Sequence, residues 1–507
     1  MKRKQVFLMV VAAAALATVV LPCQGQASSE TSAELAELLR RYPEADTNGD
    51  GVLTMSEAKA FVQEQLGHGG ARRPAEMPPA PDAPSKKIPL PEKDLPRDLD
   101  PVILTGKQVQ GLLGREPGQI VAFAWKNDAW KQVPVQVDER KKVDLGKACG
   151  GESFRTTLYA DPRTKLGADP NVKLDMDDEV VFMAKDTGGR TRAADPEGVE
   201  ADGRTELRIG DPSGGKDRYV YLFASDGSLK ADAGIDYVKY KARKAARPAR
   251  LRQENSVVET NRYRVGFAAR WILDRTEVLA GIKKPVDILD GDKFQFLPGI
   301  SIRTTGTFSR GKGEYLAHID GPVRAIRSVV GANSGRLTQR DWVFYEGRQD
   351  CITYLRVHPI PGTWMYYDFS PAARGMTYYD NLNTGGVTID GKPDRMHSGR
   401  LRWQVVTGKQ GTLSMALLTE TDLPRVTWKS YYFDQAQANW DQGIGDRHAC
   451  GASGPATGPL LNTDPTDRSG KCYQLTVRRI VYYQKPNAPL EAALKRIAAA
   501  GTPLKVD

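Results

Sequence analysis

Apolar positions change their period along this chain. Leu35, Leu38, Leu39 and Tyr42 fall at i, i+3, i+4 and i+7, and Ala58, Phe61, Val62 and Leu66 continue an apolar stripe. Two short helices with a polar stretch between them are predicted. The period is then lost. Eight prolines between Pro74 and Pro96 rule out helix and ladder alike, so an extended, semi-rigid spacer is expected. From about Leu99 the pattern turns to short apolar runs. Residues 119–125 and 130–137 flank Lys126, Asn127, Asp128 and Ala129, which predicts a hairpin. Residues 179–183 and 219–223 are further apolar runs between Gly and Asp turns. A basic, proline-bearing break at 245–252 follows. Beyond it strand-like segments recur at 300–308, 323–330, 342–345, 351–357, 376–379, 401–406, 412–418 and 474–483, with turn residues between them. A last helix is predicted over 490–500, with Leu490, Leu494 and Ile497 on one face and Gly501 as its stop.

The pattern predicts a mainly β chain. A small helical module at 28–68 is followed by a proline-rich linker at 69–98, a β-rich domain at 99–245 and a larger multi-stranded β-sandwich domain at 246–507 that ends in the C-terminal helix. Its many strands are similar in architecture to the two-sheet super-sandwich of sugar mutarotases and some polysaccharide lyases, an analogy that no motif carries.

The polar stretch between the first two helices names its own chemistry. Asp46, Asn48, Asp50, Thr54 and Glu57 place oxygen-bearing side chains at the first, third, fifth, ninth and twelfth positions, with Gly51 sixth and Leu53 eighth. Such spacing wraps a hard cation, which takes about 6 to 8 oxygen ligands. Val52 contributes its backbone carbonyl at the seventh position, and Gly51 allows the sharp turn. Thr54 and Glu57 also have capping-box spacing for the second helix. The segment 31–66 resembles an EF-hand, and the resemblance implies Ca2+ bound by Asp46, Asn48, Asp50, Val52, Thr54 and Glu57. Two features depart from the family pattern. Pro43 interrupts the incoming helix, and the sequence offers no second loop of the kind, whereas such loops usually work in pairs.

Residues 1–27 read as a secretory signal: Lys2, Arg3 and Lys4, an apolar core over 6–21, and Gly25, Gln26 and Ala27 at the cleavage site. A lipoprotein at Cys23 is the less favoured alternative, because Pro22 stands where a small residue is wanted. The expected location is secreted, periplasmic or cell-surface, with no later transmembrane segment. Loss of the three basic residues lowers the formal net charge from +10 to +7. The remaining basic residues are interspersed with acids, which argues against a nucleic-acid partner. Four cysteines remain after Cys23. Their even number predicts disulfides, with Cys450–Cys472 favoured across a Gly/Pro/Thr-rich loop and Cys149–Cys351 by elimination.

The β region shows no elbow, P-loop or dinucleotide fingerprint. Asp175, Asp177, Asp178 and Glu179 form the densest acidic cluster, read as a solvated turn before a strand in preference to a second calcium site. Among the five histidines, His318 and Asp320 would share one face of a strand, and His448 would lie in a loop. Trp364, Tyr366, Tyr367, Tyr378, Tyr379, Trp403, Trp428, Tyr431, Tyr432, Trp440, Tyr482 and Tyr483 offer rings that stack on sugars, against a favoured reading as core. Two functions stay open: an exported calcium-binding protein whose β region binds carbohydrate or a surface, and a carbohydrate-active lyase or hydrolase. A histidine meeting an arginine and a carboxylate would favour the enzyme; a flat face of exposed tryptophans would favour the binder.

Overall fold

Alternating side chains that are apolar in both directions demand a sheet covered on both faces, and the chain builds one of nine antiparallel strands. In spatial order these are Glu314–Asp320, Ala325–Val330, Gln339–Phe344, Arg348–Arg356, Gln474–Gln484, Gly411–Thr421, Trp403–Gly408, Thr377–Asp380 and Val387–Thr388. The structure is a computed structural model. It describes residues 28–30, 36, 39, 43–54, 57, 88–148, 153–201, 203–242, 256–267, 271–296, 313–331, 338–356, 362–436, 449–458 and 473–507.

Tyr482 and Tyr483 show the double cover. Tyr483 stacks on Tyr263 with ring centroids 4.0 Å apart, while Tyr482 donates to Asp100 Oδ1 at 2.7 Å on the other side. Two four-stranded sheets cover the Tyr483 face. One is Lys239–Ala242, Ser256–Glu259, Tyr263–Phe267 and Leu273–Val278; the other is Leu289–Phe296, Thr363–Phe369, Ala449–Thr457 and Trp428–Gln435. Val258, Phe267, Trp342, Val481, Phe369 and Cys450 belong to one core drawn from all three sheets. The opposite face receives the helix Leu490–Gly501, whose Ala493, Leu494 and Ile497 pack on Trp403, Val405 and Ile480. The predicted helix and its buried face are therefore present.

The first β domain is a smaller sandwich. Pro101–Thr105, Glu179–Met183 and Gln136–Asp138 form one sheet. Lys505–Val506, Thr205–Gly210, Arg218–Ala224, Ile120–Lys126 and Ala129–Val133 form the other, and Leu104, Phe182, Ala122 and Leu222 meet between them. The hairpin forms where expected, since Asn127 and Asp128 take φ of 51° and 54° and Lys126 pairs with Ala129. That is the two-residue turn whose twist suits the flanking strands. The second strand is shorter than the predicted 130–137. Pro134 has no N–H to give a ladder, so the chain leaves after Val133 and re-enters the other sheet at Gln136.

Several expectations need revising. Where a loop is expected from Cys450 onward, Ala449–Thr457 is a fully buried strand. Its small residues lack β propensity and serve close approach instead: a Cβ on Gly454 would lie 2.0 Å from the Met365 carbonyl oxygen. Cys351 and Cys450 are buried thiols here, and burial pushes them up to about 12 and about 11. Cys149, Cys472 and the predicted strand 300–308 lie outside the described residues. Of the predicted helices of the small module, Ala36, Leu39 and Glu57 are helical, and most of the rest lies outside the described residues. Among the described residues no helix is long and apolar enough to cross a membrane.

The two β domains are joined through a buried charge. Arg324, 1% exposed, donates from Nε to Asp138 Oδ2 at 2.7 Å and from Nη2 to Glu179 Oε2 at 2.6 Å. Gln136 Oε1 accepts the backbone amides of Val323 and Arg324 at 3.1 and 2.9 Å. Arg324→Met would leave the buried Asp138 carboxylate without a cation, while Glu179 would keep Arg140 and the Tyr159 hydroxyl. The substitution should cost about 3 to 5 kcal/mol, read as a fall in the urea midpoint of the β region; an unchanged midpoint would show the network to be dispensable.

Candidate functional site

The predicted calcium loop begins after a proline-induced 3-10 turn, Pro43–Ala45, which returns a bond from Asp46 N–H to the Pro43 carbonyl at 3.2 Å. Asp46 Oδ1 accepts the Gly49 amide at 2.9 Å and Oδ2 the Gly51 amide at 2.8 Å. Asn48 Oδ1 accepts the Asp50 amide at 2.9 Å, and Asp50 Oδ1 accepts the Val52 amide at 2.8 Å. Gly49 and Gly51 take φ of 70° and 81°, which lets the chain curl around its own side-chain oxygens.

Glu57 reaches back from the second helix. Its Oε2 accepts the Thr54 amide at 3.0 Å and the Thr54 hydroxyl at 2.7 Å, and Oε1 accepts the Thr47 hydroxyl at 3.3 Å. Thr54 Oγ1 accepts the Glu57 amide at 3.3 Å, so the expected capping box is formed. The Thr54 hydroxyl bond holds the Glu57 carboxyl below its ordinary range. Among the described residues, no group of three or more His, Cys, Asp and Glu side chains is arranged to hold a metal ion as it stands. Half of the six predicted ligands are of other kinds: Asn48, Thr54 and the Val52 carbonyl.

A second cluster sits where the strands Lys239–Ala242 and Ser256–Glu259 cover the first two strands of the nine-stranded sheet. His318 pairs with Arg327 across neighbouring strands, so both project toward the same cover. Tyr240 Oη lies 2.7 Å from His318 Nδ1 and accepts Arg327 Nη1 at 3.1 Å. Arg327 also donates to Ser256 Oγ at 3.0 Å and to Tyr315 Oη at 2.8 Å, and its guanidinium lies 4.2 Å from the centre of the Phe267 ring. Asp320 Oδ1 accepts the Tyr240 amide at 3.2 Å, and burial raises its carboxyl. The predicted sharing of a face by His318 and Asp320 is thus present, with Tyr240 as their common partner. Sequence reasoning missed Tyr240 and Arg327, since neither stands in a motif and the contact from Tyr240 spans 78 residues.

Ser256 and Phe267 also line a cavity of about 710 Å³, together with Lys239, Lys241, Arg264 and Arg275. Lys239 and Lys241 alternate with Tyr240 along their strand and so leave from its other face. Arg264 is paired with Glu259 and Glu277 at 2.7 and 2.6 Å.

The remaining candidates resolve into structure. Among the described residues no aromatic side chain is exposed. Tyr366, Tyr367, Tyr378, Trp403, Tyr482 and Tyr483 are buried, and Trp364 stacks on Tyr431 with centroids 4.5 Å apart. His397 is held by its backbone to Asn383, while His68, His358, His448 and Trp440 lie outside the described residues. The Asp175–Glu179 cluster caps a turn before a strand, as expected, but it is not the solvated turn predicted, since Asp178 is fully buried. Asp178 accepts the amides of Asp175 and Arg140 at 2.7 Å each, and Asp175 accepts that of Asp177 at 3.1 Å.

One neighbour of that turn bears a cost. Both carboxylate oxygens of Glu139 are buried without a hydrogen-bond partner among the described residues. Burial, with Asp178, Asp169, Asp175 and Asp138 nearby, pushes its carboxyl up to about 7 from an ordinary 4.5. Between those two pH values the folded state holds a proton that the unfolded state has released, so stability falls as pH rises through the window. Glu139→Gln should match the parent protein near pH 4.5 and melt higher above pH 7. Parallel melting curves across that range would remove this account.

No family model matches the chain, and no curated protein sequence matches it. Among solved structures it is similar to one from Escherichia coli K12 assigned as an aldose 1-epimerase, at 10% identity and a TM-score of 0.22. That alignment covers 49% of this chain and 100% of the other. The likeness is too slight to bear on the chemistry of this chain.

Proposed function

We propose that this chain is an exported calcium-binding protein whose β region handles carbohydrate. The observation that carries the calcium reading is the loop itself. Asp46, Asn48 and Asp50 present oxygens from alternating positions, and Glu57 folds back across the loop to Thr47 and Thr54. With Thr54 and the Val52 carbonyl, that oxygen set suits a flexible shell of about 6 to 8 ligands. The residues fit the ion in kind and in order. Calcium is structural in this reading: it keeps the small module folded where extracellular sites work, at about 10⁻⁴ to 10⁻³ M. The predicted signal at 1–27 supports that location.

For the β region, the cluster around Tyr240 favours an enzyme over a flat binding face. A lyase or hydrolase must move a proton at a sugar carbon or a glycosidic oxygen. Tyr240 has its hydroxyl between the Arg327 guanidinium, which donates to it, and the His318 imidazole, with which it shares a hydrogen bond along which a proton can pass. Among the described residues the tryptophans are buried or half-buried, which gives less support to a binding face of exposed rings.

Asp46→Ala and Glu57→Ala should each abolish calcium uptake by the chain, measured by titration calorimetry; undiminished uptake in both would sink the calcium reading. A panel of acidic and neutral polysaccharides should yield new reducing ends or an unsaturated, ultraviolet-absorbing product from one polymer. Tyr240→Phe should then lower kcat by about 10²- to 10⁴-fold when both proteins are assayed at a temperature at which they are folded. Retention on a polymer with no product would return the β region to a binding role.

A further inference from the structure

The calcium loop offers a backbone edge at its eighth position, and that edge is taken. Leu53 accepts the Ser29 amide on its carbonyl at 2.8 Å and donates its own amide to Ser29 Oγ at 2.9 Å. Ser28 and Thr54 face each other as an antiparallel bridge. Leu53 is fully buried, so both of its backbone polar groups need partners, and both find them in one residue 24 positions earlier. The chain's sequence supplies no second loop that could pair here.

The position matters for the ligands. Leu53 stands between Val52 and Thr54, two of the predicted ligands, and Thr54 in turn holds Glu57 through its amide and hydroxyl. A loop left unpaired at Leu53 would have to be ordered when the ion binds. One already pinned there has less freedom to lose. We propose that residues 28–30 are the partner strand of this single loop and set its calcium affinity, so that Ser29 is a positioning residue for the site. The proposal rests on the calcium reading above. It also gives the expected cleavage after Ala27 a consequence: the first residues of the exported chain are themselves part of the site, and trimming them by two would loosen it.

The test is calcium titration of the full chain as exported, alongside three substitutions. Ser29→Ala keeps the N–H but loses the oxygen that accepts the Leu53 amide, and affinity should weaken about tenfold. Ser29→Pro also removes the N–H and should weaken it further. Ser29→Thr keeps both groups and should restore the parent affinity, which a general loss of folding would not do. The melting of the β region should be the same in all four proteins. Absence of uptake by the parent chain would overturn the calcium reading itself. Uptake by the parent with equal affinity in the Ala and Pro variants would overturn the partner strand alone.

Discussion

A guanidinium taken out of water costs several kcal/mol unless carboxylates and hydrogen bonds meet it. The nine-stranded sheet is covered on both faces, and it takes in arginines on both. Arg324 meets Asp138 and Glu179 from the first β domain. Arg348 meets Asp350 at 2.8 Å and Asp100 at 3.3 Å, and Asp100 also accepts Tyr482 and Arg97. On the opposite face Arg340 and Arg479 share Asp292 at 3.4 and 2.9 Å. Burial alone would push Asp350 up, but Arg348 and Arg478 outweigh it and hold it at about 2. Each pairing tolerates only one placement of the layers, because a shift leaves charges unmet. Apolar contact drives the layers together, and the charges choose their register.

That division explains what could be read in advance. Apolar runs and turn residues are local, so seven of the nine strands of the large sheet were legible near their true positions, all but Glu314–Asp320 and Val387–Thr388, as were the turn at Asn127 and Asp128 and the helix Leu490–Gly501. The turn and capping box of the proposed calcium loop were legible because the whole pattern lies within twelve consecutive residues. The strand Ala449–Thr457 was not, since close packing chose small residues that resemble a loop. The partners of His318 were hidden for another reason: Tyr240 comes from a different sheet, and only the fold brings the two together. Ser29 was invisible as well, being an ordinary serine until its distance from Leu53 is known.

The two proposed functions also divide by length scale. A calcium loop needs one turn of chain and two short helices, and the proline-rich stretch at 69–98 sets it apart from the rest in sequence. The Tyr240 cluster needs two sheets to be assembled first. Its arginine is part of the same buried polar architecture that fixes the layers, so whatever chemistry the cluster performs is tied to the stability of the sandwich.

The last strand, Lys505–Val506, closes the edge of the first β domain against Thr205–Gly210, and Arg208 pairs with Asp507 some 299 residues further on. During synthesis the ribosome delivers the rest of that five-stranded sheet long before its closing strand arrives. Until then the backbone of 205–210 is an open edge, able to pair with any extended segment that reaches it. The end of the 205–210 edge that this strand covers is open to mispairing until the strand arrives. A tag or a truncation at residue 505 would make that exposure permanent.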